Sequence, residues 1–327
     1  MIIMDRNTSP ISPIKEEYYT RLNEITDYSG YPDDEPGYLK ELYAKQNNLD
    51  VNQIELANGA DEWIQKVFIT LGKAGIMSVT PDFFMYHDYA EQLDLPFYEV
   101  ASNKDYVFDF DEIVRAIESK KPSLFIISNP HNPTGVMFDS ADLQKIADAM
   151  EAINGYFVID EAYIEFGEDY QRPQGDHVLL IRTMSKIYGM AGFRVGIIIA
   201  QNEAYKKVTR INHPYPLSHV SMNFARILLE DTEWVKDFKD YQLQAQAELV
   251  KSFEGVKDIM EVKESHTNFV FTYGEKALSL GKFLKDNGFL ARFYKEENLK
   301  DTVRYSIIKL EDYPRFNELI QQWIDLQ

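Results

Sequence analysis

Short apolar runs, each the length of one β-strand, alternate with longer segments in which apolar residues recur every three or four positions. The strand-like runs cover 54–57, 76–79, 97–100, 123–128, 156–160, 178–182 and 194–200. The segments of helical period between them include 61–71, 85–93, 110–119 and 140–153. Strands alternating with helices predict an α/β fold, a mostly parallel sheet sandwiched by helices. After about residue 212 the pattern changes. His213-Pro214-Tyr215-Pro216 breaks the chain, and a long helical stretch runs through Trp234 to Phe253. Strand-like runs at 267–273, 289–294 and 303–308 then alternate with helical segments at 275–286 and 311–324. This predicts a smaller α+β domain. The expected division is a large domain over 27–235 and a small one built from 236–327 together with 1–26, which includes the N-terminal arm.

Composition narrows the function classes. With 34 basic and 53 acidic residues in 327, the formal charge is -19, which argues against nucleic acid or an anionic membrane as partner. An anionic small substrate remains possible, provided that the few arginines are gathered locally. The absence of cysteine removes disulfides, thiol catalysis and thiolate metal sites. His87, His177, His213, His219 and His266 show no metal-ligand spacing, so no metal is expected. No run approaches membrane-spanning length and no leader pattern opens the chain, so a cytoplasmic enzyme is expected.

Four motifs carry candidate chemistry. Ser128-Asn129-Pro130-His131-Asn132-Pro133-Thr134-Gly135 follows an apolar strand and lies where open α/β sheets bind ligands, although the same residues also suit a simple loop. In Phe157-Val158-Ile159-Asp160-Glu161-Ala162-Tyr163, an acid ends a buried strand. An unpaired carboxylate there costs several kcal/mol, whereas the protonated ring nitrogen of a pyridoxal cofactor would pair with it. Metal binding is the weaker rival, since Asp160 and Glu161 point to opposite faces of a strand. In Thr183-Met184-Ser185-Lys186-Ile187-Tyr188-Gly189-Met190-Ala191-Gly192-Phe193-Arg194, the Lys186 amine can form an imine with an aldehyde. Thr183, Ser185 and Arg194 can bond a phosphate. Finally, Asn58-Gly59-Ala60-Asp61-Glu62 offers backbone amides of Gly59, Ala60 and Asp61 to an anion, or an ordinary helix cap.

In this order and spacing the motifs resemble the fold-type I pyridoxal-phosphate aminotransferases, and within them the histidinol-phosphate aminotransferases. The resemblance spans about Asp27 to Ile308 and includes Tyr31-Pro32-Asp33 and the segment from Pro214 to Ser221. It implies that Lys186 carries the pyridoxal 5'-phosphate and later moves the proton, and that Asp160 faces the ring nitrogen. Asn132 and Tyr163 then donate to the phenolic oxygen. Ala60, Asp61, Thr183, Ser185 and Arg194 form the phosphate cup. Tyr31 reaches the phosphate of a neighbouring subunit, which implies a homodimer. Tyr86 is expected to stack on the ring, with Phe83 as its competitor.

The substrate end rests on Arg292 and Arg304, both of which match arginines for substrate anions in the resembled family. Their alternative is a structural salt bridge. The implied reaction is ping-pong transamination between histidinol phosphate and 2-oxoglutarate. Its rivals are aromatic amino-acid transamination, decarboxylation of a phosphorylated amino acid, and a non-catalytic pyridoxal-binding regulatory domain. The family's N-terminal Asn-Glu-Asn-Pro-type segment appears here only as Asp5-Arg6-Asn7-Thr8-Ser9-Pro10, and its glycine after the last arginine strand is replaced by Ile308-Lys309.

Overall fold

The computed structural model describes residues 1–327. The chain opens with a short strand β1 (Ile2–Met4) and helices α1 (Glu16–Ile25) and α2 (Glu35–Asn47). Seven strands follow: β2 (Ile54–Asn58), β3 (Ile76–Thr80), β4 (Phe97–Ala101), β5 (Leu124–Ser128), β6 (Tyr156–Asp160), β7 (Val178–Thr183) and β8 (Val195–Ile199). Helices α3 (Ala60–Leu71), α4 (Met85–Gln92), α5 (Phe110–Lys120) and α6 (Ser140–Ala152) connect the first of them. The strands form one sheet in the order β2-β8-β7-β6-β5-β3-β4. Only β8 runs against its neighbours.

The unbroken apolar runs are explained by burial on both faces. In β5, Phe125 and Ile127 enter one core, while Leu124 and Ile126 enter a second core on the opposite side of the sheet. β6 divides in the same way, with Phe157 and Ile159 against Val158. Each such side chain stabilises the fold by roughly 1.5–3 kcal/mol relative to exposure.

Helices α7 (Asn202–Thr209), α8 (His219–Glu230) and α9 (Thr232–Ser252) lead to a second sheet. It contains β9 (Glu261–Val262), β10 (Phe269–Tyr273), β11 (Phe289–Phe293) and β12 (Thr302–Ser306), with α10 (Glu275–Asp286) and α11 (Tyr313–Ile324) packed on it. Its order is β1-β11-β12-β10-β9, so the first residues of the chain pair with one of the last strands.

Some elements differ from the sequence pattern. The long helical stretch is interrupted at Asp231, whose carboxylate accepts from the Trp234 N–H and starts α9 afresh. β1 and β9 are too short to show a period. The unexpected α2 has Pro36 and Gly37 in its first turn, and only Leu39, Tyr43 and Ala44 are buried along it, too few to announce a helix against those two breakers. Although residues 1–26 were assigned to the small domain, α1 packs Tyr18 and Leu22 into the core of the larger sheet. No helix is long and apolar enough to cross a membrane.

Candidate active site

The carboxyl ends of β2, β5, β6 and β7 meet at one edge of the large sheet, where open α/β sheets take ligands. Asp160 ends β6 beside Ser128 of β5. Thr183 ends β7 and leads into the turn of Ser185 and Lys186, while β2 passes through Gly59 into α3. Together they enclose an inner cavity of about 250 Å³, bordered by Ala60, Asp61, Asn132, Asp160, Tyr163, Thr183, Ser185, Lys186 and Arg194.

The middle of this cavity holds an acid without a basic partner. Asp160 is buried, and its carboxylate accepts from the Tyr86 hydroxyl at 2.9 Å and the Ala162 N–H at 3.0 Å. Burial pushes the carboxyl up to about 6, against the pull of those two donors. Glu161 projects to the other face, where Arg172 and Arg182 pair with it at 2.6 and 2.8 Å. The neighbouring acids thus have separate roles, and only Asp160 awaits a cation.

At one end, the Thr183 hydroxyl donates to that of Ser185 at 2.8 Å. Arg194 is held there by Asp61 at 2.6 Å and by the Ala191 carbonyl at 3.2 Å. A Cβ at Gly59, whose φ is +84°, would strike the Arg194 guanidinium. The guanidinium could shift aside, so it is the positive φ that needs glycine where the strand turns into α3.

At the mouth, the Asn132 oxygen accepts from Arg304 at 2.6 Å. A guanidinium only donates, so the Asn132 NH₂ group is turned the other way. The Tyr163 hydroxyl accepts from Asn7 at 3.0 Å, and the Lys186 amine lies 5.3 Å from the centre of the Tyr163 ring.

An outer chamber of about 690 Å³ adjoins the inner cavity, and Arg6, Phe83, Asn132, Tyr163 and Lys186 border both. Arg292 and Arg304 reach this chamber from directly opposite positions on β11 and β12. Neither pairs with a carboxylate. Arg292 lies over Tyr294, while Arg304 contacts Asn132, the Asp5 carbonyl and the faces of Phe269 and Tyr294. The Arg304 Nε is buried without a partner. Like charges directly opposite across a strand pair are destabilising, so this arrangement calls for an anion.

The two aromatic candidates occupy different places. Tyr86 was expected over the cofactor ring, but its hydroxyl is engaged by Asp160 and its ring meets Phe83 edge-on at 5.5 Å and 89°. Phe83 is the one that borders the inner cavity. Tyr31 lies outside that cavity, 72 % exposed and stacked on Tyr215 at 4.4 Å, in a separate groove that Arg194 also borders.

The motifs did not reveal the contributions of Asn7 and Asp82. Asn7 bonds Tyr163, Ser306 and Asn268, joining the N-terminal arm to both sheets. Asp82 is buried and accepts from the Phe83 N–H at 2.7 Å and from the Ser128 N–H at 3.1 Å. It thereby ties the Phe83 loop to the end of β5. Burial pushes its carboxyl well up, and burial also pushes the nearby His131 ring down to about 3. The signal for Asp82 was its place two residues after β3; for Asn7 it was only the divergent arm.

The aminotransferase class I and II sequence profile matches residues 6–307. The chain belongs to the class I and II aminotransferases. A histidinol-phosphate aminotransferase of Clostridium novyi is 32 % identical over 324 residues, spanning 94 % of this chain and 87 % of that one. Its counterpart in Caldanaerobacter subterraneus is 30 % identical over 313 residues, 93 % and 88 % of the two chains. The crystal structure of histidinol-phosphate aminotransferase from Clostridium acetobutylicum superposes with a TM-score of 0.85 at 21 % identity, covering both chains fully. That of the Sinorhizobium meliloti enzyme in complex with pyridoxal-5'-phosphate gives 0.83 at 19 % identity, covering 100 % of this chain and 92 % of that one.

The cofactor of this aminotransferase is pyridoxal 5'-phosphate, and the residues present fit it. The inner cavity offers two hydroxyls and a guanidinium at one end, an unpaired buried carboxylate in the middle, and an amine at the mouth.

Proposed function

We propose that the chain transfers the amino group of histidinol phosphate to 2-oxoglutarate, a step of histidine biosynthesis. The observation that carries this reading is the facing pair Arg292 and Arg304, free of carboxylates, in a chamber that opens beside Lys186. Two guanidinium forks suit a phosphate on one substrate and a carboxylate on the other, so both halves of a ping-pong reaction can use one site. The curated relatives named above support the phosphate-bearing donor.

In this reading Thr183, Ser185, Arg194 and the amides of Gly59, Ala60 and Asp61 hold the cofactor phosphate. Asp160 keeps a proton on the ring nitrogen, Asn132 and Tyr163 donate to the phenolic oxygen, and Phe83 covers the ring face. When bound, pyridoxal phosphate supplies an aldehyde for an amine and a ring that accepts the electron pair left at the donor α-carbon. Lys186 Nζ takes the proton from that α-carbon, as a positioned general base. Arg292 and Arg304 orient the donor so that the proton faces the amine, and the arm through Asn7 limits access of water.

A cytoplasmic homodimer belongs to the same proposal. Tyr28 and Tyr31 are exposed beside a groove of about 530 Å³ that reaches Arg194. A partner's copy of that surface would bring its tyrosine to the phosphate end of the cavity.

The test is half-reaction spectroscopy of the cofactor-loaded protein with histidinol phosphate, phenylalanine and threonine phosphate. Conversion of the cofactor to its amine form should be fastest with histidinol phosphate. Faster conversion with phenylalanine would reject the donor, and release of carbon dioxide from threonine phosphate would reject the reaction type.

A further inference from the structure

The segment Asp5-Arg6-Asn7 crosses the junction of the inner cavity and the outer chamber, and it is anchored on both sides of Arg6. The Asp5 carbonyl accepts from Arg304 at 3.3 Å. The Asn7 N–H donates to the Ser306 hydroxyl at 2.9 Å, its side chain donates to Tyr163 at 3.0 Å, and its carbonyl accepts from Asn268 at 3.0 Å. Asn7 adopts a φ of 53°, a left-handed conformation that asparagine enters more readily than most residues. The backbone is therefore set, and the buried Asn7 side chain leaves Arg6 presented over the opening.

Arg6 borders both spaces, with its side chain 77 % exposed. Its one charged contact is its own neighbour Asp5 at 3.5 Å, longer than a hydrogen bond, so its guanidinium keeps its donors for a ligand. The chamber thus gathers Arg6, Arg292 and Arg304 at one end, in a chain whose net charge is -19. Asp5, Asp82, Asp88, Glu99 and Glu296 border the same chamber, so an anion needs several guanidiniums together to be held there. One guanidinium fork satisfies a carboxylate. A phosphate monoester carries about -1.5 to -2 charges and three strong acceptor oxygens, so it can engage a further guanidinium.

We propose that Arg6 determines substrate specificity, supplying a third guanidinium to a phosphate monoester on the amino donor. This rests on the aminotransferase reading of the chamber given above. Arg6 then adds to selectivity for a phosphorylated amine over the same amine without phosphate, beyond what Arg292 and Arg304 provide.

The test compares cofactor-loaded wild type, Arg6→Gln and Arg6→Lys on histidinol phosphate and on histidinol, with inorganic phosphate as competing inhibitor. A hydrogen bond to a charged group is worth a change of roughly 10- to 100-fold. Arg6→Gln should lower the ratio of the two kcat/KM values by that factor, mainly through KM for histidinol phosphate. The inhibition constant of inorganic phosphate should rise in parallel, and Arg6→Lys should recover part of both. If wild type prefers histidinol phosphate and Arg6→Gln keeps that ratio, the role of Arg6 is overturned while the substrate reading stands. A wild type without preference for the phosphorylated amine overturns both. If Arg6→Gln weakens pyridoxal phosphate binding at an unchanged ratio, Arg6 serves the inner cavity and the proposal is wrong.

Discussion

The inner cavity and the outer chamber are built by different means. The inner one is assembled from strand ends of a single sheet, within short stretches of sequence, and its polar groups hold one another in place. Thr183 sets Ser185, Asp61 sets Arg194, and Tyr86 sets Asp160. The outer chamber lies between two sheets and a strap from the other end of the chain. Its facing arginines, Arg292 and Arg304, make no ion pair, and the Arg304 Nε has no partner. A pre-organised cavity suits a resident cofactor that must not move. A chamber lined by unpaired cations suits two anionic substrates that exchange at each turnover.

This contrast is sharpened most by Lys186→Ala. It should lower turnover by about 10⁴-fold, the upper range for a positioned acid–base group, and borohydride reduction should leave no cofactor covalently attached. Retained attachment would assign the inner cavity to another lysine.

Asp160→Asn tests whether the inner cavity is built around a missing cation. The carboxyl is held at about 6 against an ordinary 3.8, so its stabilising contribution is present below about pH 4 and lost as pH rises through about 6. Without cofactor, Asp160→Asn should therefore be more stable than wild type at pH 7.5, by about 3 kcal/mol at 1.36 kcal/mol per unit. With cofactor the order should reverse. Chemical denaturation of both forms measures this, and an unchanged order would remove the ring nitrogen as partner of Asp160.

In the outer chamber, Arg292→Ala and Arg304→Ala should each raise KM for the donor by about 10- to 100-fold. Cofactor absorbance should change less in Arg292→Ala than in Arg304→Ala, because only Arg304 also touches Asn132. Unchanged KM values in both variants would mean that the chamber does not hold the substrate anion. The smallest effect is expected for Tyr86→Phe. Loss of its hydrogen bond, worth about 1 kcal/mol, should move the Asp160 titration to higher pH. A shift to lower pH would contradict the contact.

The legibility of the two regions follows their construction. Apolar runs on both-face-buried strands announced the large sheet, and the candidate residues lay within a few positions of strand ends that the fold gathers at one cavity. Lys186, Asp160, Asn132 and Arg194 were therefore readable locally. The choice between Tyr86 and Phe83 was not, because they lie three residues apart at the start of α4 and only packing shows that Asp160 claims the Tyr86 hydroxyl. The short strand β1 escaped notice because three residues carry no period, yet it brings the arm beside β11.

Sequence alone determined the family chemistry, since pairing of neighbouring strands makes local motifs into a cofactor site with little further information. Tertiary structure decided that Arg292 faces Arg304 without a carboxylate, that Asn7 bolts the arm to Tyr163, and that Arg6 stands over the opening. The bonds that hold the arm there, Asn7 to Ser306 and Arg304 to Asp5, join residues 299 positions apart. Nothing in the spacing of side chains along a strand encodes which distant charge will be left without a partner.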